Sequence, residues 1–153
     1  MIKIGKNIYS NKDMFDKGSV LNNERNLDKI IKFYNHASMI MCLDTKLCFS
    51  KLKKYNSLGL YYDNIIEIDP RATRYVNSIL KTISHEMIHA HQSKNGSLIM
   101  TKKYTTWALT KTRFLNDDIS KMKFSDRKKL PWEKEAYSKE LWLYSKVIEE
   151  INK

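Results

Sequence analysis

The sequence predicts a single α+β domain over residues 1–153. Three observations carry that expectation. Three stretches repeat apolar residues at helical spacing, and short strand-like stretches precede the second of them. The third is a chain with only four glycines and two prolines, no internal repeat and no low-complexity linker. At 153 residues one core can bury roughly two-thirds of the unfolded surface, enough to fold without staples. An apolar content of 42% and an aromatic content of 11% exclude a disordered chain.

Residues 1–10 read as a short strand. "NNERNLDKIIKFYNHASMIM" (22–41) reads as a helix, capped by Asn22 or Asn23, with Leu27, Ile30, Ile31 and Tyr34 on one face. "TKLCFSKL" (45–52) alternates as a strand does. "LGLYYDNIIEID" (58–69) reads as a hairpin or a bent pair of strands turning at Asp63–Asn64, closed by Asp69–Pro70. A helix follows from about Thr73 to Lys94, stopped by Asn95–Gly96. Residues 97–130 mix apolar patches (Leu98, Trp107, Leu109, Phe114, Leu115) with nine basic and three acidic residues. Their densest basic run, "KMKFSDRKK", reads as a loop, and the segment as the wall of a cleft. From Pro131 to about Asn152 runs a long amphipathic helix, with proline at the first position, where a missing N–H costs nothing.

Cys42 and Cys48 form no C-x-x-C pair and read as reduced thiols. The lysine-broken N-terminus lacks the apolar run of a signal peptide, and no window reaches the roughly 18 apolar residues of a membrane span. The expectation is an intracellular, cytoplasmic protein without membrane association. The net charge of +11 predicts weak, salt-sensitive attraction to nucleic acid, through Lys121, Lys123, Arg127, Lys128 and Lys129. Equally, 23 lysines against five arginines is the pattern of a compositional bias, because arginine is the residue suited to bidentate phosphate contacts.

The chemistry lies in "TISHEMIHAHQ" (82–92). His85 and His89, four apart on a helix, stand about 40° apart around the axis and one turn apart along it, so both imidazoles can reach one metal. Glu86, about 100° on, can serve as base without ligating. That is the H-E-x-x-H arrangement of zinc metallopeptidases. There Zn2+ activates a water and polarises the scissile carbonyl, while the glutamate takes the proton and passes it to the leaving amine. Val76, Ile79, Leu80, Ile83, Met87 and Ala90 give the helix an apolar back that would turn the histidines to a cleft. His91, about 200° around from His89, reads as a non-ligand. Catalytic zinc usually has three protein ligands. No histidine follows His91, so the third is expected to be a carboxylate, or His36 from far upstream.

"SHEMIHAHQ" resembles the active-site helix of Spartan/SprT-like proteases, and "IIEIDP" resembles the strand before it. That likeness implies a DNA-associated protease. "PWEKEAYSKE" resembles the glutamate helix of gluzincins, including minimal ones of this size, and implies that Glu133, opening an E-x-x-A segment, is the third ligand. Where several gluzincins carry an acid four residues on, this chain has Tyr137. Periodicity votes separately between Glu133 and Glu135. Glu133 shares its face with Ala136, Tyr137, Leu141, Tyr144 and Val147, whereas Glu135 lies about 200° away beside Ser138 and Lys139. A carboxylate on an apolar face wants a partner, which favours Glu133 while leaving Glu135 or another carboxylate open. Glu140 could accept a hydrogen bond from behind a ligand. Tyr137, or a tyrosine within 97–113, is the expected transition-state donor.

The expected function is zinc-dependent hydrolysis of a peptide bond in a protein or peptide substrate: a zincin. The alternatives are a SprT-like DNA-associated protease and a basic nucleic-acid-associated protein with a structural zinc.

Overall fold

The computed structural model describes residues 1–52 and 57–153. Residues 1–10, expected as one strand, form two: β1 (Ile2–Gly5) and β2 (Ile8–Ser10), paired antiparallel. The chain reverses at Asn7, whose φ of 58° is in the left-handed region that asparagine tolerates better than most residues. α1 (Glu24–Met41) is capped by Asn23, which accepts a hydrogen bond from the Asn26 amide. Its inward residues Ile30, Phe33, Tyr34 and Ala37 recur at helical spacing.

β3 (Lys46–Phe49) follows, then β4 (Gly59–Tyr62) and β5 (Ile65–Ile68). The β4–β5 hairpin turns at Asp63–Asn64 with φ of 45° and 62°, the two left-handed residues that a tight hairpin turn requires. The five strands make one mixed sheet in the order β1-β2-β3-β5-β4, with β3 parallel to both β2 and β5. α1 supplies the crossover that the parallel β2–β3 pair needs. α2 (Val76–Lys94) starts later than the Thr73 its spacing suggests, because Pro70–Ala72 form a short 3-10 turn braced by Asp69 on the Arg71 amide. It ends at Lys94, two residues before Gly96, whose φ of 80° turns the chain away from the helix.

Residues 97–130 depart most from expectation. They form a second sheet, β6 (Leu98–Met100), β7 (Tyr104–Trp107) and β8 (Thr112–Leu115), antiparallel in that order. α3 (Asn116–Lys121) and α4 (Phe124–Arg127) follow, so "KMKFSDRKK" runs through helical turns and is not the loop expected. Leu98, Trp107, Leu130 and Trp132 are the centre of a small apolar cluster that Phe114, Ile119 and Met122 complete. α5 (Pro131–Ile151) closes the fold and packs on α1 and α2. The main core joins Leu47, Phe49, Ile66 and Ile68 of the sheet to Ile79, Leu80, Ile83 and Met87 of α2 and to Ala136, Leu143 and Val147 of α5.

Both cysteines are free, Cys42 exposed and Cys48 buried. No helix among the described residues is long and apolar enough to cross a membrane.

The edge strand β4 meets α2 at Gly59, where a Cβ would lie 2.5 Å from Thr82 Cγ2 and 3.1 Å from Glu86 Cγ. Strand and helix can approach this closely only because no side chain intervenes. Gly59→Ala is therefore expected to cost about 1–3 kcal/mol by overpacking. A fall in the urea midpoint at constant slope measures it.

Candidate metal centre

α2 carries His85 and His89 on one face, one turn apart, and their Nε2 atoms are 3.1 Å from each other. α5 brings Glu133 against them. Its Oε2 is 3.1 Å from His85 Nε2, and its Oε1 is 3.4 Å from His89 Nε2. One donor atom from each residue lies within 4.8 Å of the others, so the three could hold a metal ion. Ligands about 2.0–2.1 Å from a shared ion at tetrahedral angles stand about 3.3 Å apart. The observed spacings of 3.1 to 3.4 Å are of that order, with Glu133 turning a different oxygen to each ring. Two imidazoles and a carboxylate suit a divalent transition metal better than magnesium or calcium, which prefer all-oxygen shells.

The sequence places Glu133 in the first turn of α5, and the second sheet decides where that turn lies. Trp132 is 5% exposed within the small apolar cluster, its ring edge-on to Phe114 at 5.5 Å between centroids. Anchored there, the next residue faces α2. Glu135 points elsewhere, accepting from Gln92 at 2.7 Å and from Lys139 at 2.7 Å. The structure thus brings Glu133, and not Glu135, to the histidines. His91 is half-buried outside the triad, and His36 sits on α1 with Nδ1 donating to the Lys32 carbonyl at 2.9 Å.

Behind the triad, two contacts orient the rings. His85 Nδ1 donates to Glu140 Oε2 at 2.7 Å, leaving Nε2 to face the centre. His89 Nδ1 donates to Gln92 Oε1 at 2.8 Å. Gln92 is itself fixed, because its Nε2 donates to the Trp132 carbonyl at 3.0 Å and to Glu135. One side chain, 1% exposed, therefore ties the His89 ring to the backbone immediately before Glu133. The sequence reading missed Gln92. The available sign was an amide three residues past a ligand, on the side of the helix that turns toward α5. Gln92→Leu keeps the bulk but removes both ties, and should weaken metal binding by about 10–100-fold. Competition against a chromophoric chelator measures it.

Electrostatics follow from the same contacts. Burial opposes charge on His85, but the hydrogen bonds to Glu133 and Glu140 outweigh it and lift the ring to about 10. Burial likewise opposes charge on Glu133, yet the two histidines hold its carboxyl at about 2. Burial raises Glu86 against the pull of His89 and His85. Tyr137 packs against His85 with the rings tilted and their centroids 4.6 Å apart. Burial and the charges of Glu133, Glu140 and Glu86 push its hydroxyl up to about 12, so it keeps its proton.

These shifts set the pH response of metal-free protein. The raised His85 contributes stability that is complete below 6.5 and lost as pH rises toward about 10. The lowered Glu133 contributes stability that is present above 4.5 and lost as pH falls toward about 2. For chelator-treated protein, the share of stability contributed by this pair should peak between 4.5 and 6.5 and decline into alkali. Metal affinity should rise over that alkaline range, because ligation needs neutral imidazole nitrogens. Thermal melts with and without chelator across pH check both signs.

The triad opens into a cleft of about 750 Å3 between β4, α2, the second sheet and the α4–α5 junction. Glu86, 6% exposed and outside the triad, lines it, as do Tyr137, Arg127 and Lys128. Of the other basic residues singled out by sequence, Lys129 pairs with Asp126 at 3.4 Å, and Lys121 and Lys123 are exposed. No protein-family model, curated protein or solved structure matches the chain.

Proposed function

We propose that this protein is a zinc-dependent metallopeptidase of gluzincin-like design. The observation that carries the reading is the convergence of Glu133, from a separate helix, on the H-E-x-x-H histidines, with Glu86 left beside them in an open cleft. Two histidines and a glutamate are a ligand set of catalytic zinc, which keeps a position free, whereas structural zinc takes four protein ligands. Among the described residues the cluster numbers three.

Zinc bound there supplies a Lewis acid that lowers the pKa of water and polarises the scissile carbonyl. His85, His89 and Glu133 hold it, and Glu140 and Gln92 keep both rings aimed. Glu86 takes the proton of the attacking water and delivers it to the leaving nitrogen. Tyr137, protonated at working pH, donates a hydrogen bond to the oxygen on which charge develops. Among the described residues β4 is the edge strand of its sheet, and it borders the cleft, where its main-chain groups could meet an extended peptide.

The test is a diverse peptide library incubated with zinc-loaded protein and read by mass spectrometry. Cleavage that stops on chelation and returns with zinc supports the reading. A library left intact by fully zinc-loaded protein rejects it.

A further inference from the structure

We propose that the substrate is a peptide segment bearing acidic side chains close to the cleaved bond, held by Lys81 and Lys128. The proposal rests on the peptidase reading and names the substrate class of that site.

Outside the triad the cleft is basic. Its carboxylates Glu86, Glu133 and Glu140 are gathered at the histidines, and elsewhere Lys81, Lys102, Arg127 and Lys128 face the single carboxylate of Asp63. Lys81 and Lys128 come from separate elements and both line the cleft near His85. Lys81 stands on α2 one turn before His85, with Nζ 5.7 Å from the centroid of the Tyr144 ring. Lys128 follows α4, with Nζ 5.0 Å from the centroid of Tyr137, whose ring in turn packs against His85. α2 and α5 run antiparallel here, since Gln92 meets Trp132, His85 meets Glu140 and Lys81 meets Tyr144. The Lys81 ammonium therefore lies along the seam one turn from His85, and the Lys128 ammonium lies beside the Tyr137 ring that packs on the same histidine.

Both lysines are exposed, and neither is in an ion pair with a described residue. Aromatic rings hold them instead. A ring face positions an ammonium without neutralising it, so each charge stays available to a ligand. The long-range field agrees, since a chain of net charge +11 draws anionic segments toward a cleft lined with the same sign.

The experiment uses zinc-loaded protein and matched fluorogenic peptides that differ only in carrying Glu, Gln or Lys on both sides of the bond. Glu peptides should exceed Lys peptides by about tenfold in kcat/KM at low ionic strength, with the difference in KM and shrinking as salt is added. The Lys81→Glu/Lys128→Glu double variant should reverse the order. Lys129→Glu, an equal charge change at a residue already paired outside the cleft, should keep it. Equal rates for the three peptides, or a preference indifferent to the double variant, overturn the proposal. If no peptide of any charge is cut, the peptidase reading fails separately. Anisotropy of labelled, uncut peptides on zinc-loaded Glu86→Gln protein then decides this one. Acidic peptides bound through the two lysines uphold it, and binding indifferent to peptide charge overturns it. Displacement of the acidic peptide by a single-stranded oligonucleotide that needs the same lysines would assign the cleft to nucleic acid and also overturn it.

Discussion

Purified protein should hold one zinc per chain, and Glu133→Ala should lose it while Glu135→Ala keeps it. The two glutamates are neighbours in sequence and chemically identical, so only position separates them. Glu133 places both carboxylate oxygens within 3.4 Å of the histidine Nε2 atoms, whereas Glu135 is engaged by Gln92 and Lys139. Removing a ligand should weaken binding by more than the roughly 10–100-fold that an outer partner costs. His89→Ala should behave as Glu133→Ala does. Elemental mass spectrometry after dialysis against a weak chelator reads the result directly. Zinc retained by Glu133→Ala would send the search to another carboxylate. The Glu135→Ala control guards against loss by unfolding, since it removes a contact of similar size from the same helical turn.

The second large effect is expected at Glu86. Glu86→Gln preserves shape and leaves the triad untouched, so zinc should stay while turnover falls by about 10²–10⁴, the usual contribution of a positioned base. Stability should be unchanged or higher, because the native carboxylate is 6% exposed and a buried charge without full compensation is costly. This outcome separates a catalytic centre from a purely structural zinc, for which the variant would change no function. Loss of zinc from Glu86→Gln would make the residue a ligand and remove the base from the mechanism.

The features legible before the fold was known share one property: the residues that define them are near each other in sequence. Asn23 capping α1, the left-handed pair Asp63–Asn64, Gly96 after α2 and Pro131 opening α5 are local backbone preferences. The alignment of His85, Glu86 and His89 is of the same kind, since helix geometry alone stacks residues four apart. The second sheet escaped for the opposite reason. Its strands are three or four residues long and pair with each other across turns, so no window holds enough alternation to show a period. Its apolar residues look scattered in sequence and meet only in the cluster around Trp132.

The sequence by itself determined the α+β class, the three long helices, the pair of imidazoles and the glutamate beside them. It narrowed the expected third ligand to a carboxylate or His36 and favoured Glu133 by its apolar face. Only the tertiary structure decided that Glu133 reaches the histidines, that Gln92 and Glu140 aim them, and that Lys81 and Lys128 line the cleft. Each of these depends on where α5 lies against α2. That placement comes from burying Trp132 on one side and Ala136, Leu143 and Val147 on the other. Packing between distant segments is a property of the assembled core, and no local pattern carries it.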